Sequence, residues 1–208
     1  MTVRVNILTG MTRTAKSVPG DEIHEVIARR SAHLRKLRRS SLDALAARSG
    51  ISKGMLVAME QGRANPSIGT LCKLAAGLGV SLAELLEEGP RPVAEVQLVT
   101  PDEARILWKG AKGGLAALLV GTAGPAMLEL WEWTLCPGES FQAKPHTKGT
   151  VELLSVTEGT LAVEVSGMDY LVPARHRAVA RTDRPHSYRC HGERRVRFSM
   201  VVHEPGVT

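Results

Sequence analysis

Residues 45–81 read LAARSGISKGMLVAMEQGRANPSIGTLCKLAAGLGVS, and serines and glycines punctuate this stretch at helix-length intervals. A serine ahead of an apolar-periodic run can accept a hydrogen bond from an N–H that the first turn of a helix leaves unpaired. Ser52 therefore predicts a helix over residues 53–61. In it Leu56 and Met59 point inward, Lys53, Gly54, Val57, Ala58 and Gln61 point outward, and Gly62 ends the run. Pro66 and Ser67 open the next helix, with Leu71, Leu74, Ala75 and Leu78 inside and Gly79 as its stop. Ser81 and Glu84 have the spacing of a capping box for a helix over 82–88. Upstream, Ser41 precedes a helix that buries Leu42, Leu45 and Ala46. Gly50 supplies the turn after it, and Ile51 folds into the core. Ile23, Ile27 and Leu34 share one face of a first helix that ends near Arg38.

Five short helices with these markers resemble the phage-repressor/Cro (XRE) helix-turn-helix fold. The resemblance rests on Leu45-Ala46, Gly50-Ile51-Ser52, Leu56, Glu60, Gly62, Pro66-Ser67, Leu71, Leu74-Ala75 and Leu78-Gly79-Val80-Ser81, about 60 residues in all. It implies that the third helix lies in the major groove of DNA. Lys53, Gly54, Val57, Ala58 and Gln61 would then lie on the DNA side. Lys53 would donate to guanine, and Val57 and Ala58 would meet thymine methyls. So lean a set implies selection partly through DNA shape. Ser41, Arg63, Asn65 and Thr70 would contact the phosphate backbone. Arg39 stands where many relatives have glycine.

Charge agrees with this division of labour. Residues 1–88 hold 13 Lys/Arg against 8 Asp/Glu, whereas residues 89–208 hold 14 against 13. Arg29, Arg30, Arg35, Lys36, Arg38 and Arg39 crowd one segment, read either as a phosphate-facing surface or as a solvated helix face. No apolar run approaches the ~20 residues that cross a bilayer, which argues against a membrane partner. Three cysteines without C-x-x-C spacing, and no signal-peptide pattern, suggest the cytoplasm.

After Pro101 the texture changes to short alternating or apolar runs at 104–109, 115–120, 126–135, 151–156, 160–165, 170–172 and 196–202, broken by Gly, Pro and Asp. Such spacing predicts a sandwich or barrel. Leu128, Leu130, Trp131, Trp133 and Leu135, with Glu129 and Glu132 among them, suggest an antiparallel strand with both faces partly covered, its tryptophans serving mainly as packing. Because residues i and i+2 of a strand face one side, His146 and Lys148 are both expected to point inward, with Glu152 following across a turn.

The region from Gly138 resembles the two motifs of the cupin fold, a double-stranded β-helix or jelly-roll barrel. The first runs Gly138-x7-His146-x-Lys148-x3-Glu152-x6-Gly159. The second runs Gly167-x5-Pro173 and on to His186-Ser187-Tyr188-Arg189. The resemblance implies a metal site on His146, Glu152 and His186, a set suited to Fe, Mn, Ni or Zn. Lys148 replaces the second histidine of the motif. As a cation it would repel a metal, pairing instead with Glu152 or with a ligand carboxylate in the pocket.

Together these readings predict a multidomain α + β protein. It has a leader (1–20), a five-helix lambda-repressor-like DNA-binding domain (21–88), a linker (89–101) and an all-β cupin domain (102–208). The order resembles XRE–cupin regulators, and the His-x-Lys-Gly-x-x-Glu form resembles a subgroup that includes regulators of sulfur utilisation. Such a protein would be a homodimer that binds a palindromic operator in double-stranded DNA and responds to a small-molecule effector. The alternative is a non-haem iron oxidoreductase, epoxidase-like, since one branch of the architecture holds iron on two histidines and a carboxylate. The basic reader surface favours the regulator over the enzyme.

Overall fold

In a computed structural model, which describes residues 20–87, 95–124 and 126–205, helices occupy the first part of the chain and strands the second. The expected leader thus lies almost wholly outside the described residues, as does much of the linker. Helices run α1 Gly20–Leu37, α2 Leu42–Ser49, α3 Lys53–Glu60, α4 Ile68–Leu78 and α5 Leu82–Leu85. Four serines cap as their positions predict. Ser41, Ser52, Ser67 and Ser81 each accept from the N–H three residues on, at 3.0–3.3 Å. Such a cap stabilises a helix by about 1 kcal/mol. Gly50, Gly62 and Gly79 adopt φ of +64°, +67° and +64°, where a Cβ would be strained.

The helical core is apolar, with Leu45, Leu56, Leu74, Leu78, Leu82 and Leu85 fully buried. Gly77 has a packing reason that its sequence position conceals. A Cβ there would lie 2.6 Å from Ser49 Cβ, so glycine is what lets α2 and α4 approach. Arg39 adopts φ +50°, making a left-handed turn between α1 and α2 that glycine would adopt without strain.

A 3-10 turn at Pro101–Glu103 leads into ten strands: β1 Arg105–Lys109, β2 Leu115–Gly121, β3 Met127–Leu135, β4 Ser140–Ala143, β5 Val151–Glu158, β6 Thr160–Val165, β7 Met168–Pro173, β8 Arg177–Arg181, β9 His186–His191 and β10 Val196–Glu204. They pair antiparallel into a six-stranded sheet, β1-β2-β3-β10-β5-β8, and a four-stranded sheet, β4-β9-β6-β7. Two facing sheets, rather than a closed barrel, enclose the interior. Trp133 of β3 stacks on Phe198 of β10, centroids 5.9 Å apart, and meets Phe141 of the opposite sheet edge-on at 4.9 Å. β4, β8 and β9 lie outside the runs expected from alternation.

β3 is covered on both faces, though unevenly, with Leu130 and Thr134 half-buried on the outer one. Its buried face is Met127, Glu129, Trp131, Trp133 and Leu135, while Leu128 is 48% exposed and Glu132 is exposed. Period-two alternation decides the face, and it carries a carboxylate inward and a leucine outward.

Candidate functional site

Two surfaces merit chemical attention: the outer side of α3 and the interior between the sheets. On α3 Lys53, Gly54 and Met55 are exposed, and Val57 and Ala58 are half-buried. Lys53 pairs with Asp43 of α2 at 2.9 Å. Arg63 donates to the exposed Gln61 side chain, its Nε at 3.0 Å from Oε1. Asn65 Oδ1 lies 3.3 Å from His24 Nε2. The Ser41 hydroxyl is engaged as a cap, and the Ser67 and Thr70 hydroxyls meet at 3.0 Å.

Three of the six basic residues clustered at Arg29–Arg39, namely Arg30, Arg35 and Arg38, also hold the fold together, while Arg29, Lys36 and Arg39 are exposed. Arg35 makes a bidentate pair with Glu60 of α3, both bonds 2.7 Å, and donates to Ser40 O at 3.1 Å. Arg30 donates to Glu84 O and Arg38 to Gly79 O. These contacts tie α1 to α3, α4 and α5. The helix periodicity used to place the cluster records charge and face, but not the carbonyls waiting on the next helix.

The interior holds a cavity of about 410 Å³. Its sheet side includes Trp131, Trp133, His146, Glu152, His186 and Tyr188; its other wall is one stripe of α4, including Ile68, Gly69, Cys72, Lys73 and Ala76. The opposite stripe of α4, Leu71, Leu74, Ala75 and Leu78, packs in the helical core. The cavity is therefore bounded by both halves of the chain.

His146, Glu152 and His186 offer ligand atoms that all lie within 4.8 Å of one another. His146 Nε2 is 3.5 Å and His186 Nε2 3.8 Å from Glu152 Oε1. His186 donates from Nδ1 to Arg184 O at 2.8 Å, so its buried Nε2 keeps a lone pair, and that atom has no hydrogen-bond partner. Glu152 accepts from the Tyr188 hydroxyl through Oε2, leaving Oε1 toward the imidazoles. Burial keeps both histidines neutral at pH 7: His146 is lowered, and His186 is lowered to about 4. Burial pushes Glu152 up to about 7 against the hydrogen bond from Tyr188. Two lone-pair donors and a carboxylate, with a backbone carbonyl fixing one tautomer, fit a divalent cation.

Lys148 does not join them. The strand ends at Ala143, and Thr147–Gly149 form a turn, with Thr150 N donating to Thr147 O at 3.1 Å and Gly149 at φ +89°. Alternation does not operate in a turn. Lys148 is exposed and is not among the cavity's residues, and no ion pair joins it to Glu152. His146 is held instead by its backbone N–H on Thr182 O at 3.0 Å.

Sequence reasoning missed Glu129, Glu204, Tyr188 and Cys72. Glu129 is 3% exposed and accepts from Trp131 Nε1 at 3.1 Å; burial, with a further push from Glu204, raises it to about 7. Glu204 accepts from Thr147. Trp133 Nε1, also buried on the cavity wall, has no acceptor. Burial raises the Cys72 thiol, and Glu129, Glu204 and Glu152 add to the shift, so α4 presents its sulfur to the carboxylate-rich interior. Tyr188 carried a signal: two residues after His186 on one strand, it shares that face.

The serine-capped α2–α3 pair belongs to a DNA-binding helix-turn-helix reader, which is joined to a second domain of two antiparallel sheets. Residues 32–85 match the helix-turn-helix family HTH_3. The chain is 27% identical over 176 residues to the HTH-type transcriptional regulator SutR of Escherichia coli K12, covering 83% of this chain and 91% of that protein. It is 27% identical over 172 residues to the regulator PuuR of the same organism, covering 82% and 86%. A solved HTH_3 family transcriptional regulator from Vibrio cholerae superposes with TM-score 0.65 at 28% identity, over 89% of this chain and 98% of that one. No helix among the described residues is long and apolar enough to cross a membrane.

Proposed function

We propose that the chain is a cytoplasmic, ligand-responsive transcription factor that binds a palindromic operator as a homodimer through Lys53, Gly54, Val57, Ala58 and Gln61, with Ser41, Arg63, Asn65 and Thr70 on the backbone. Its interior binds a divalent cation of the Fe, Mn, Ni or Zn class on His146, Glu152 and His186, with room beside it for a small effector. The observation that carries this reading is the α4 wall. An occupant of the cavity touches the reader directly, so it can favour one placement of α4 over another. Thr70 lines that wall near the end of α4 assigned to phosphate, which gives the occupant a short route to the DNA-facing surface. The relatives over more than four-fifths of the chain are regulators, which supports this role over an oxidoreductase built on the same ligand set.

Selection of genomic fragments by the purified full-length chain tests the reading. The expected product is a two-fold symmetric site with half-sites about one helical turn, ~34 Å, apart. Enrichment no better than that of an inert basic protein would remove the regulator role.

A further inference from the structure

The outer face of the six-stranded sheet carries an apolar row that crosses five strands. Register places Val120 of β2 opposite Leu130 of β3, Leu130 opposite Val201 of β10, Val201 opposite Leu153 of β5, and Leu153 opposite Val179 of β8. Leu153 is 51% and Val179 71% exposed. Leu130 and Val201 are half-buried where Glu84, Glu87 and Gln97 border the row, which opens to solvent towards Leu153 and Val179; a continuous apolar row of this kind marks an interaction surface rather than scattered surface leucines. Two residues along the strands runs a second row, Glu132–Ser199–Ser155–Arg177, again in direct register. Its carboxylate and guanidinium ends are both exposed and stand three strand spacings apart, about 14 Å.

We infer that this face is where a second copy of the chain docks, through a two-fold axis parallel to the strands between β10 and β5. That operation sets β3 of one copy over β8 of the other and β10 over β5, leaving the rows level. Leu130 then meets Val179 and Val201 meets Leu153. Glu132 meets Arg177 twice, once at each end of the interface. The surface is thus complementary to itself in both shape class and charge, as an isologous contact requires. The inference rests on the dimeric reading above and adds which surface makes the dimer. With the opposite sheet face committed to the cavity, the pairing leaves the cavity and α3 uncovered by the strands that meet.

Analytical ultracentrifugation of the full-length chain tests it. The wild type sediments at twice 22.4 kDa, and Leu153→Glu/Val179→Glu sediments as a monomer with an unchanged circular dichroism spectrum, since both positions are solvent-facing. Glu132→Arg and Arg177→Glu each raise the dimer dissociation constant about tenfold, and the double exchange returns it to within about threefold of wild type. A dimer that survives Leu153→Glu/Val179→Glu, or a double exchange that gives no recovery, overturns this surface while leaving the dimer intact. A wild type that is monomeric both free and on DNA overturns the dimeric reading itself.

Discussion

The helical half and the sheet half treat buried charge in opposite ways. In the helices Arg35 and Glu60, both largely buried, satisfy each other bidentately, and one buried atom, Arg30 Nε, is left without a partner. Between the sheets Glu129, Glu152 and His186 are buried without a cation among them, and the His186 Nε2 and Trp133 Nε1 atoms lack partners. Buried polar groups cost stability unless they are paired. Their concentration on one cavity wall supports the proposal that the sheet interior receives an occupant, while the Arg35–Glu60 pair ties α1 to α3. A third pattern sharpens the contrast. Glu139, also buried, accepts from the N–H groups of Lys112 at 2.6 Å and Cys136 at 2.8 Å, so a buried carboxylate in this domain is not by itself a binding group.

Breaking the helical pair should give the largest effect. Arg35→Ala leaves Glu60 unpaired with its side chain only 13% exposed, and is expected to cost about 2–3 kcal/mol in urea unfolding. A loss below about 0.5 kcal/mol would mean that α1 is not anchored through this contact.

Relieving the sheet interior should act in the reverse direction. Glu129 is raised from 4.5 to about 7, so the folded state retains a proton that the unfolded chain releases across that window. Its contribution to stability is therefore fully present below pH 4.5 and declines as pH rises to 7. In metal-free protein Glu129→Gln should gain about 1–3 kcal/mol at pH 8 and nothing at pH 4.5. A pH-independent gain would trace the effect to packing instead.

Smaller changes probe the reader. Arg39→Gly should stabilise by about 1 kcal/mol, because glycine adopts the positive φ without a Cβ clash; thermal unfolding that moves downward would show that the Arg39 side chain outweighs its backbone strain. Lys53→Ala removes an exposed ion pair with Asp43, so stability should shift by less than about 0.5 kcal/mol. Base preference at one operator position should nevertheless relax by about 1–3 kcal/mol in competition binding. Arg63→Ala should weaken all sequences alike and flatten the salt dependence.

The helical half was legible because its signals are local. Ser41, Ser52, Ser67 and Ser81 act within three residues of themselves, and Leu56, Met59, Leu71 and Leu74 need only the helical period. The close approach at Gly77 and the Arg35–Glu60 pair are tertiary and left no local trace. In the sheet half, it was the resemblance to the cupin motifs that pointed to His146, Glu152 and His186 together; five histidines and 13 carboxylates in residues 89–208 would not single them out. Lys148 went astray where a turn replaced an assumed strand. Glu129 was hidden among leucines, since the face a strand buries depends on partners far away in the chain. The β4 and β8 runs, SFQA and RAVAR, are too short and polar to announce themselves.

Operator affinity of chelator-stripped and metal-reloaded protein, measured by fluorescence anisotropy alongside metal content for wild type and His186→Ala, bears most directly on the link between cavity and reader. The account predicts about one Fe, Mn, Ni or Zn per wild-type chain and a roughly 5- to 150-fold difference in operator affinity between the stripped and loaded forms. His186→Ala should bind the operator as the stripped wild type does, hold no ion and show no difference on reloading. Equal affinities for stripped and loaded wild type, or a His186→Ala chain that keeps the response, would contradict it.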